Sequence, residues 1–243
     1  MGLDALRGLA FYAVFYATMA VGGVIFFPAA ALSPRAARWC GKFWLSIVFA
    51  ALRVIGGVRT EIRGPTPAGR VVIAAKHQSM LDVFMIVHAL PEGRFVMKRE
   101  LVRAPIFGWY SMRMGAVPVD RGGGRPALKA MVETVMAGAR DGGQIVIYPQ
   151  GTRVAPGRTA PYKIGVHALY EASGLPCIPA ATNSGLRWPK GIALHPGVAV
   201  VEFLPAIAPG MAREPFMARI EADIETASAR LARERDGSAR GDA

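Results

Sequence analysis

The sequence predicts an α/β fold, a mixed central sheet flanked by helices, preceded by an N-terminal hydrophobic two-helix membrane anchor. Three observations predict it. Short β-branched runs alternate with helical periods from about residue 59 onward. Two long apolar segments come before them. A final stretch, Glu214 to Arg235, carries one apolar stripe at helical spacing. The expected division is therefore an anchor over 1–58, a folded domain over 59–235 and a disordered tail over 236–243.

The 243 residues suffice for one sizeable domain and an appendage, and the 52% hydrophobic content excludes a disordered chain. The net charge of +12 favours anionic partners such as lipid headgroups, acidic proteins or phosphorylated ligands. No nucleic-acid fold signature or basic–aromatic interleaving accompanies that charge, so no nucleic-acid partner is expected. Cys40 and Cys177 form no CxxC pair, and His77, His88, His167 and His195 show no zinc spacing, so no metal is expected.

Gly8 to Leu32 runs without a charge, and up to Phe27 it would make a helix on the order of 30 Å long. Trp39 to Val58 follows, with Lys42 and Arg53 in an apolar background and tryptophans near its start. Lys42 and Arg53 suit snorkelling outward. Arg35, Arg38 and Lys42 would hold the connection near anionic headgroups. A cleavable leader is the weaker reading, because the run is long and its start, Asp4 and Arg7, is not basic overall. Spanning the bilayer and lying in one leaflet both fit the sequence.

The domain then reads in order. VRTEIRG and RVVIAAK are strands, Ser79 to Leu90 a helix, RFVMK a strand, Pro105 to Met112 a helix and GAVPV a strand. Pro126 to Arg140 is a helix, QIVIYP a buried strand and Tyr162 to Ala172 a helix; LPCIPAATN and PGVAVVEFL are strands. In the closing helix Phe216, Ile220, Ile224, Ala227 and Leu231 form the buried stripe. Gly122, Gly123 and Gly124 are no nucleotide loop, since no G-K-[ST] follows.

The stretch KHQSMLD, Lys76 to Asp82, interrupts two core-like runs. Ser79 suits an N-cap and Asp82, three residues on, its capping-box partner. On one continuous helix His77 and Asp82 would diverge by roughly 140°. With His77 on the strand-to-helix turn instead, its ring folds back toward Asp82. The carboxylate then holds one imidazole nitrogen as N–H and leaves the other as a general base, a triad without its nucleophile. The same carboxylate can cap and orient. Ser79 is discounted as a nucleophile, because no G-x-S-x-G elbow exists and capping occupies its hydroxyl. A base without a nucleophile suits an alcohol attacking an electrophile already activated, such as a thioester. His88 reads as a packed or boundary histidine, and His167 and His195 have no evident partner.

Four blocks in order resemble the glycerolipid acyltransferase family, which includes the 1-acyl-sn-glycerol-3-phosphate acyltransferases. They are His77-x-x-x-x-Asp82; GAVPVDR, with Gly115 and Arg121; Tyr148-Pro149-Gln150-Gly151-Thr152-Arg153; and CIPAAT, with Pro179. The similarity runs from about Arg59 to Glu202. It implies that His77 deprotonates the hydroxyl of a lysophospholipid acceptor and that the alkoxide attacks the thioester of acyl-CoA or acyl-carrier protein, with no further cofactor. It further implies that Arg121, Gly151, Thr152 and Arg153 hold the acceptor phosphate, and that Lys98 lies near the reacting carbonyl. Arginine forks and a P-x-G-T turn both suit phosphate oxygens.

The implied setting is the inner (cytoplasmic) membrane, with membrane lipids as partners and the catalytic domain facing the cytoplasm. The departures are Lys76 where many members have asparagine, Pro118 for an aromatic and Gln150 for a glutamate. The loss of charge at Gln150 argues against an acid or metal ligand there. These departures motivate an alternative acceptor such as a lyso-ornithine lipid. A second alternative, a non-enzymatic basic membrane-binding protein on a degenerate fold, is disfavoured by the intact His77 and Asp82.

Overall fold

The computed structural model describes residues 2–120, 124–138 and 142–234. The predicted tail, 236–243, lies outside the described residues.

Three helices open the chain: α1 (Leu3–Ile25), a short α2 (Phe27–Leu32) and α3 (Pro34–Gly56). The sequence expectation stops the first helix before Pro28. Instead the chain breaks at Phe26 and Pro28 enters the first turn of α2, a position that needs no N–H donor. Ser33 caps α3 by accepting the Ala36 N–H at 3.1 Å, with Pro34 as the first helical residue. α3 returns antiparallel to α1. Phe26 meets Phe43 at one end, with centroids 5.5 Å apart, and Phe15 meets Trp44 at 5.2 Å. At the other end Leu194 lies against both the Asp4 carbonyl and Gly56.

The pair is packed on the domain along its length. A Cβ at Gly8 would sit 1.6 Å from the Ile192 carbonyl oxygen, so glycine is what lets α1 touch that loop. Phe11 and Phe15 pack on Trp188, and the Trp188 indole N–H donates to Tyr12 at 2.8 Å. Further along, the Tyr110 hydroxyl donates to the Gly23 carbonyl at 3.0 Å. Two basic residues expected at headgroups turn to the domain instead. Lys42 donates to the Leu90 carbonyl at 2.6 Å, and Arg38 lies 3.7 Å from Glu92. A lysine within reach of carbonyls at a helix end gains more from them than from open water.

The domain follows as β1 (Val58–Arg63), β2 (Val71–Ala75), α4 (Met80–Ala89), β3 (Gly93–Lys98), α5 (Phe107–Met114), β4 (Val117–Val119), α6 (Gly124–Gly138), β5 (Gln144–Ile147), α7 (Gly165–Ser173), β6 (Cys177–Thr182), β7 (Gly197–Phe203) and α8 (Arg213–Arg233). Each element expected from the sequence is present. Two short 3-10 turns, Arg99–Arg103 and Ser184–Leu186, carry no periodic signal and were not expected. Among the described residues the strands form one mixed sheet in the order β1-β7-β6-β2-β5-β3-β4. Every neighbouring pair is parallel except β6 with β7. Pro179, on an interior strand, accepts from the Leu204 N–H on the β7 side, where the ladder begins only at Ala180.

Helices cover both faces, so β2 is buried throughout. Val71, Ile73 and Ala75 join the core under α1, α3 and α4, whereas Val72 and Ala74 join the core under α7 and α8. The α8 stripe is as expected: Phe216, Ile220, Ile224 and Leu231 are fully buried, each contributing about 1.5–3 kcal/mol. The alternation along β2 also decides what lies beyond its end. Lys76 continues toward α8 and His77 toward α4.

Candidate active site

β2 and β5 are parallel neighbours, with Ala74 opposite Ile147. Their carboxyl ends therefore release the first and third blocks side by side, the usual place for a site on an open α/β sheet. His77 lies on the turn between β2 and α4, the placement that lets its ring reach Asp82. Its Nδ1 is 2.8 Å from Asp82 Oδ1. Asp82 is fully buried, and its Oδ2 accepts from the Gln78 N–H at 2.8 Å, the Ser79 N–H at 2.7 Å and the Ser184 hydroxyl at 3.0 Å. With only donors around the carboxylate, the imidazole meets it as Nδ1–H, which leaves Nε2 as a lone pair. Ser79 is the N-cap of α4 and completes a capping box with Asp82. One carboxylate thus caps the helix and orients the ring. The Ser79 hydroxyl donates to the Trp188 carbonyl at 2.5 Å, so it is not poised as a nucleophile.

Tyr148 forms the wall beside the base. Its ring lies 4.4 Å from the His77 ring, and burial, then the Asp82 charge, push its phenol well above the ordinary range. Gly151 follows in a left-handed turn, φ +68°, which a side chain would strain. The Lys163 N–H donates to the Pro149 carbonyl at 2.9 Å, and its side chain runs past Gly151.

These groups open on one cavity of about 740 Å³. Its polar wall is His77, Lys98, Gly151, Thr152, Arg153 and Lys163. The remainder is mostly apolar and runs between the domain and the N-terminal pair, past Phe84, Trp44, Gly22, Gly23, Gly41 and Met114. The lining thus combines several cationic side chains with a mostly apolar interior.

The sequence-predicted residues fall into three groups. His77 and Asp82 are hydrogen-bonded to one another, and Gly151, Thr152 and Arg153 line the same cavity. Lys98 also lines it, but its ammonium is 2.9 Å from Glu100 at the exposed rim. Arg121 lies outside the described residues. Sequence reading missed Lys163, Ser184 and the α1 and α3 side chains that wall the cavity. Ser184 is 102 residues from Asp82, and nothing local marks it. The remaining histidines have structural places: His88 Nε2 is 3.1 Å from the Ser46 hydroxyl, His167 packs on Tyr170 and Phe216, and His195 is 3.0 Å from Asp4.

Residues 58–183 match the acyltransferase family model. The chain is 33% identical over 210 residues to the 1-acyl-sn-glycerol-3-phosphate acyltransferase of Pseudomonas aeruginosa, covering 84% of this chain and 82% of that protein. It is 28% identical over 179 residues to the protein of the same name from Escherichia coli, covering 72% of each. In fold it is similar to the crystal structure of the 1-acyl-sn-glycerophosphate acyltransferase PlsC from Thermotoga maritima. That likeness has a TM-score of 0.75 at 21% identity and covers 95% of this chain and 97% of the other.

Proposed function

The chain belongs to the acyltransferase family, and on that premise we propose that it moves a fatty acyl group from acyl-CoA or acyl-carrier protein to the sn-2 hydroxyl of 1-acyl-glycerol-3-phosphate. The product is phosphatidic acid. The observation that carries this reading is that the oriented His77, several cationic side chains and an extended apolar lining share one cavity.

His77 Nε2 takes the proton from the acceptor hydroxyl as the oxygen attacks the thioester carbonyl. The tetrahedral intermediate collapses, the C–S bond breaks, and the imidazolium returns the proton to the departing thiolate. Asp82 holds the tautomer throughout. Arg121, Arg153, Lys163 and the turn at Gly151 and Thr152 receive the acceptor phosphate. Lys98 stands beside the developing oxyanion, its pairing with Glu100 at the rim being weak enough to exchange. No step is given to a metal, because the thioester is already activated.

Residues 1–58 serve in this reading as the anchor and 59–235 as the catalytic domain. α1 and α3 are each long and apolar enough to cross a bilayer. However, α1 is fastened to the domain from Asp4 to Gly23, so a spanning α1 would draw the domain into hydrocarbon. The pair therefore lies in one leaflet, with Leu9, Val24, Phe27, Trp39, Phe43 and Val54 facing lipid. Soluble acyl donors place that leaflet on the cytoplasmic side.

The reading is tested with purified protein in anionic vesicles, crossing both donor types with lysophosphatidic acid and with lysolipids that lack the phosphate monoester. Turnover is expected with lysophosphatidic acid, and saturation only by an acceptor without that phosphate would overturn the assignment. Arg153→Ala is expected to raise the acceptor KM about 10- to 100-fold with kcat little changed, the value of charge-assisted hydrogen bonds to one group. An equal fall in kcat would remove Arg153 from the phosphate mouth.

The apolar interior gives a further expectation about the chain transferred. Gly22 lines it, and a Cβ there meets the Phe26 and Trp44 rings only at ordinary contact distances, 3.6 Å and beyond. Gly22→Leu should fold and fill part of the interior. Denying about three methylenes costs about 2.4 kcal/mol, so kcat/KM for long-chain donors should fall roughly 60-fold relative to medium-chain donors. An unchanged chain-length profile would show that the acyl chain lies elsewhere.

A further inference from the structure

Lys76 precedes the base and Gln150 precedes the phosphate turn, and neither enters the mechanism above. Both side chains converge on α8, on the far side of the sheet from His77. Lys76 is 2% exposed, and its ammonium meets both oxygens of Glu225, at 2.6 and 2.8 Å. Glu225 Oε1 also accepts from the Tyr162 hydroxyl at 2.9 Å and faces Gln150 Nε2 at 3.5 Å. Burial and then the Glu225 charge raise the Tyr162 phenol, so it remains a donor. Gln150 is 3% exposed.

A buried ammonium requires a counter-charge. Gln150, in the same cluster, is a neutral amide, and Gln78 uses its side-chain oxygen on the Gly185 N–H at 3.1 Å. The charge arrives from α8 instead, 149 residues along the chain. The backbone completes the connection. The Lys76 N–H is held by the Ala180 carbonyl at 2.8 Å, and the His77 carbonyl accepts from the Val154 N–H, just past the phosphate turn, at 2.8 Å.

We propose that Glu225 is a positioning residue of the acyl-transfer reaction: its carboxylate ties the residue before the base to the residue before the phosphate turn, and so fixes how His77 stands relative to Gly151, Thr152 and Arg153. The activity readout rests on the acyltransferase reading, but the geometry does not. Without the carboxylate, the Lys76 ammonium has to reach water, and the turn carrying His77 moves with it.

The test uses the full chain in vesicles. Glu225→Gln is expected to lower kcat/KM about 30-fold, the scale of a sub-ångström to ångström misplacement. The double variant Gln150→Glu/Glu225→Gln returns a carboxylate to the cluster from the adjacent side chain and should come within about threefold of wild type, a rescue that loss of packing alone would not give. The rate of His77 carbethoxylation by diethyl pyrocarbonate, mapped by mass spectrometry, should change in the single variant and return in the double one. Activity of Glu225→Gln within about threefold of wild type overturns the proposal, as does a folded double variant no better than the single one. If Glu225→Gln does not fold, the double variant decides. Near wild-type activity supports the proposal, and a double variant that is inactive or unfolded overturns it. Should the wild-type chain transfer no acyl group to any lysolipid, the functional reading falls, while the His77 modification rates still decide the positioning role.

Discussion

Replacing His77 by alanine is expected to lower kcat/KM about a thousandfold, within the range that a positioned acid–base group contributes. The fold should survive. His77 is anchored to the rest of the site by its backbone carbonyl, which the substitution keeps, and its ring is partly exposed to the cavity and not part of the buried core. The acceptor KM should change little, because the cations proposed to hold the phosphate, Arg153 and Lys163, line the cavity from another part of the chain. The measurement is steady-state kinetics with lysophosphatidic acid and a long-chain donor, alongside thermal unfolding. Imidazole added to the variant should restore part of the rate, since the vacated space opens on the cavity. Activity within about tenfold of wild type would mean that the acceptor hydroxyl loses its proton by another route.

Much of the fold was legible because each element carries a local signal. VVIAA reads as a strand since it is buried on both faces, and the α8 stripe reads as a helix since apolar residues return every three or four positions. The N-terminal pair was legible as helical but not in its arrangement. On α1, Phe11 packs against Trp188 while Leu9 is exposed, yet the two are equally apolar. With apolar residues on both its packed and its exposed sides, α1 has no polar face to announce which is which. The inward turn of Lys42 was hidden for a related reason: its partner, the Leu90 carbonyl, is created by the end of another helix.

The site divides along the same line. His77 and Asp82 were readable because both lie within one strand–turn–helix unit, where spacing constrains geometry. The turn at Gly151, Thr152 and Arg153 entered through its resemblance to a family block, and the structure sets it on the wall of the cavity that holds His77. What escaped were contacts made by chain distant in sequence: Ser184 on Asp82, Lys163 beside Gly151 and Glu225 on Lys76. In sequence Lys76 is one cation among many. Only the alternation of β2 against a helix on its second face turns it away from the cavity and toward a carboxylate.

Asp82→Asn is expected to cost nearly as much turnover as loss of the base, and the hydrogen bonds around the residue say why. Oδ2 receives two backbone N–H groups and the Ser184 hydroxyl, and the two N–H groups can only donate. An asparagine at this position must therefore keep its carbonyl oxygen there, which points its NH2 at His77 Nδ1. The imidazole answers by accepting at Nδ1 and carrying its proton on Nε2, the atom that should take the hydroxyl proton. The base is thus present in the wrong tautomer. A fall in kcat of about 10² to 10⁴ follows, with the acceptor KM changed little because the residues proposed to hold the phosphate are untouched. Helix α4 keeps a neutral cap and loses an anion at its N-terminus, a cost of about 0.3–2 kcal/mol, which thermal unfolding should register as a small shift only. Kinetics on the folded variant separate the outcomes. A kcat within about fivefold of wild type would show that the carboxylate only caps the helix, and a parallel rise in acceptor KM would mean that it shapes the phosphate mouth as well.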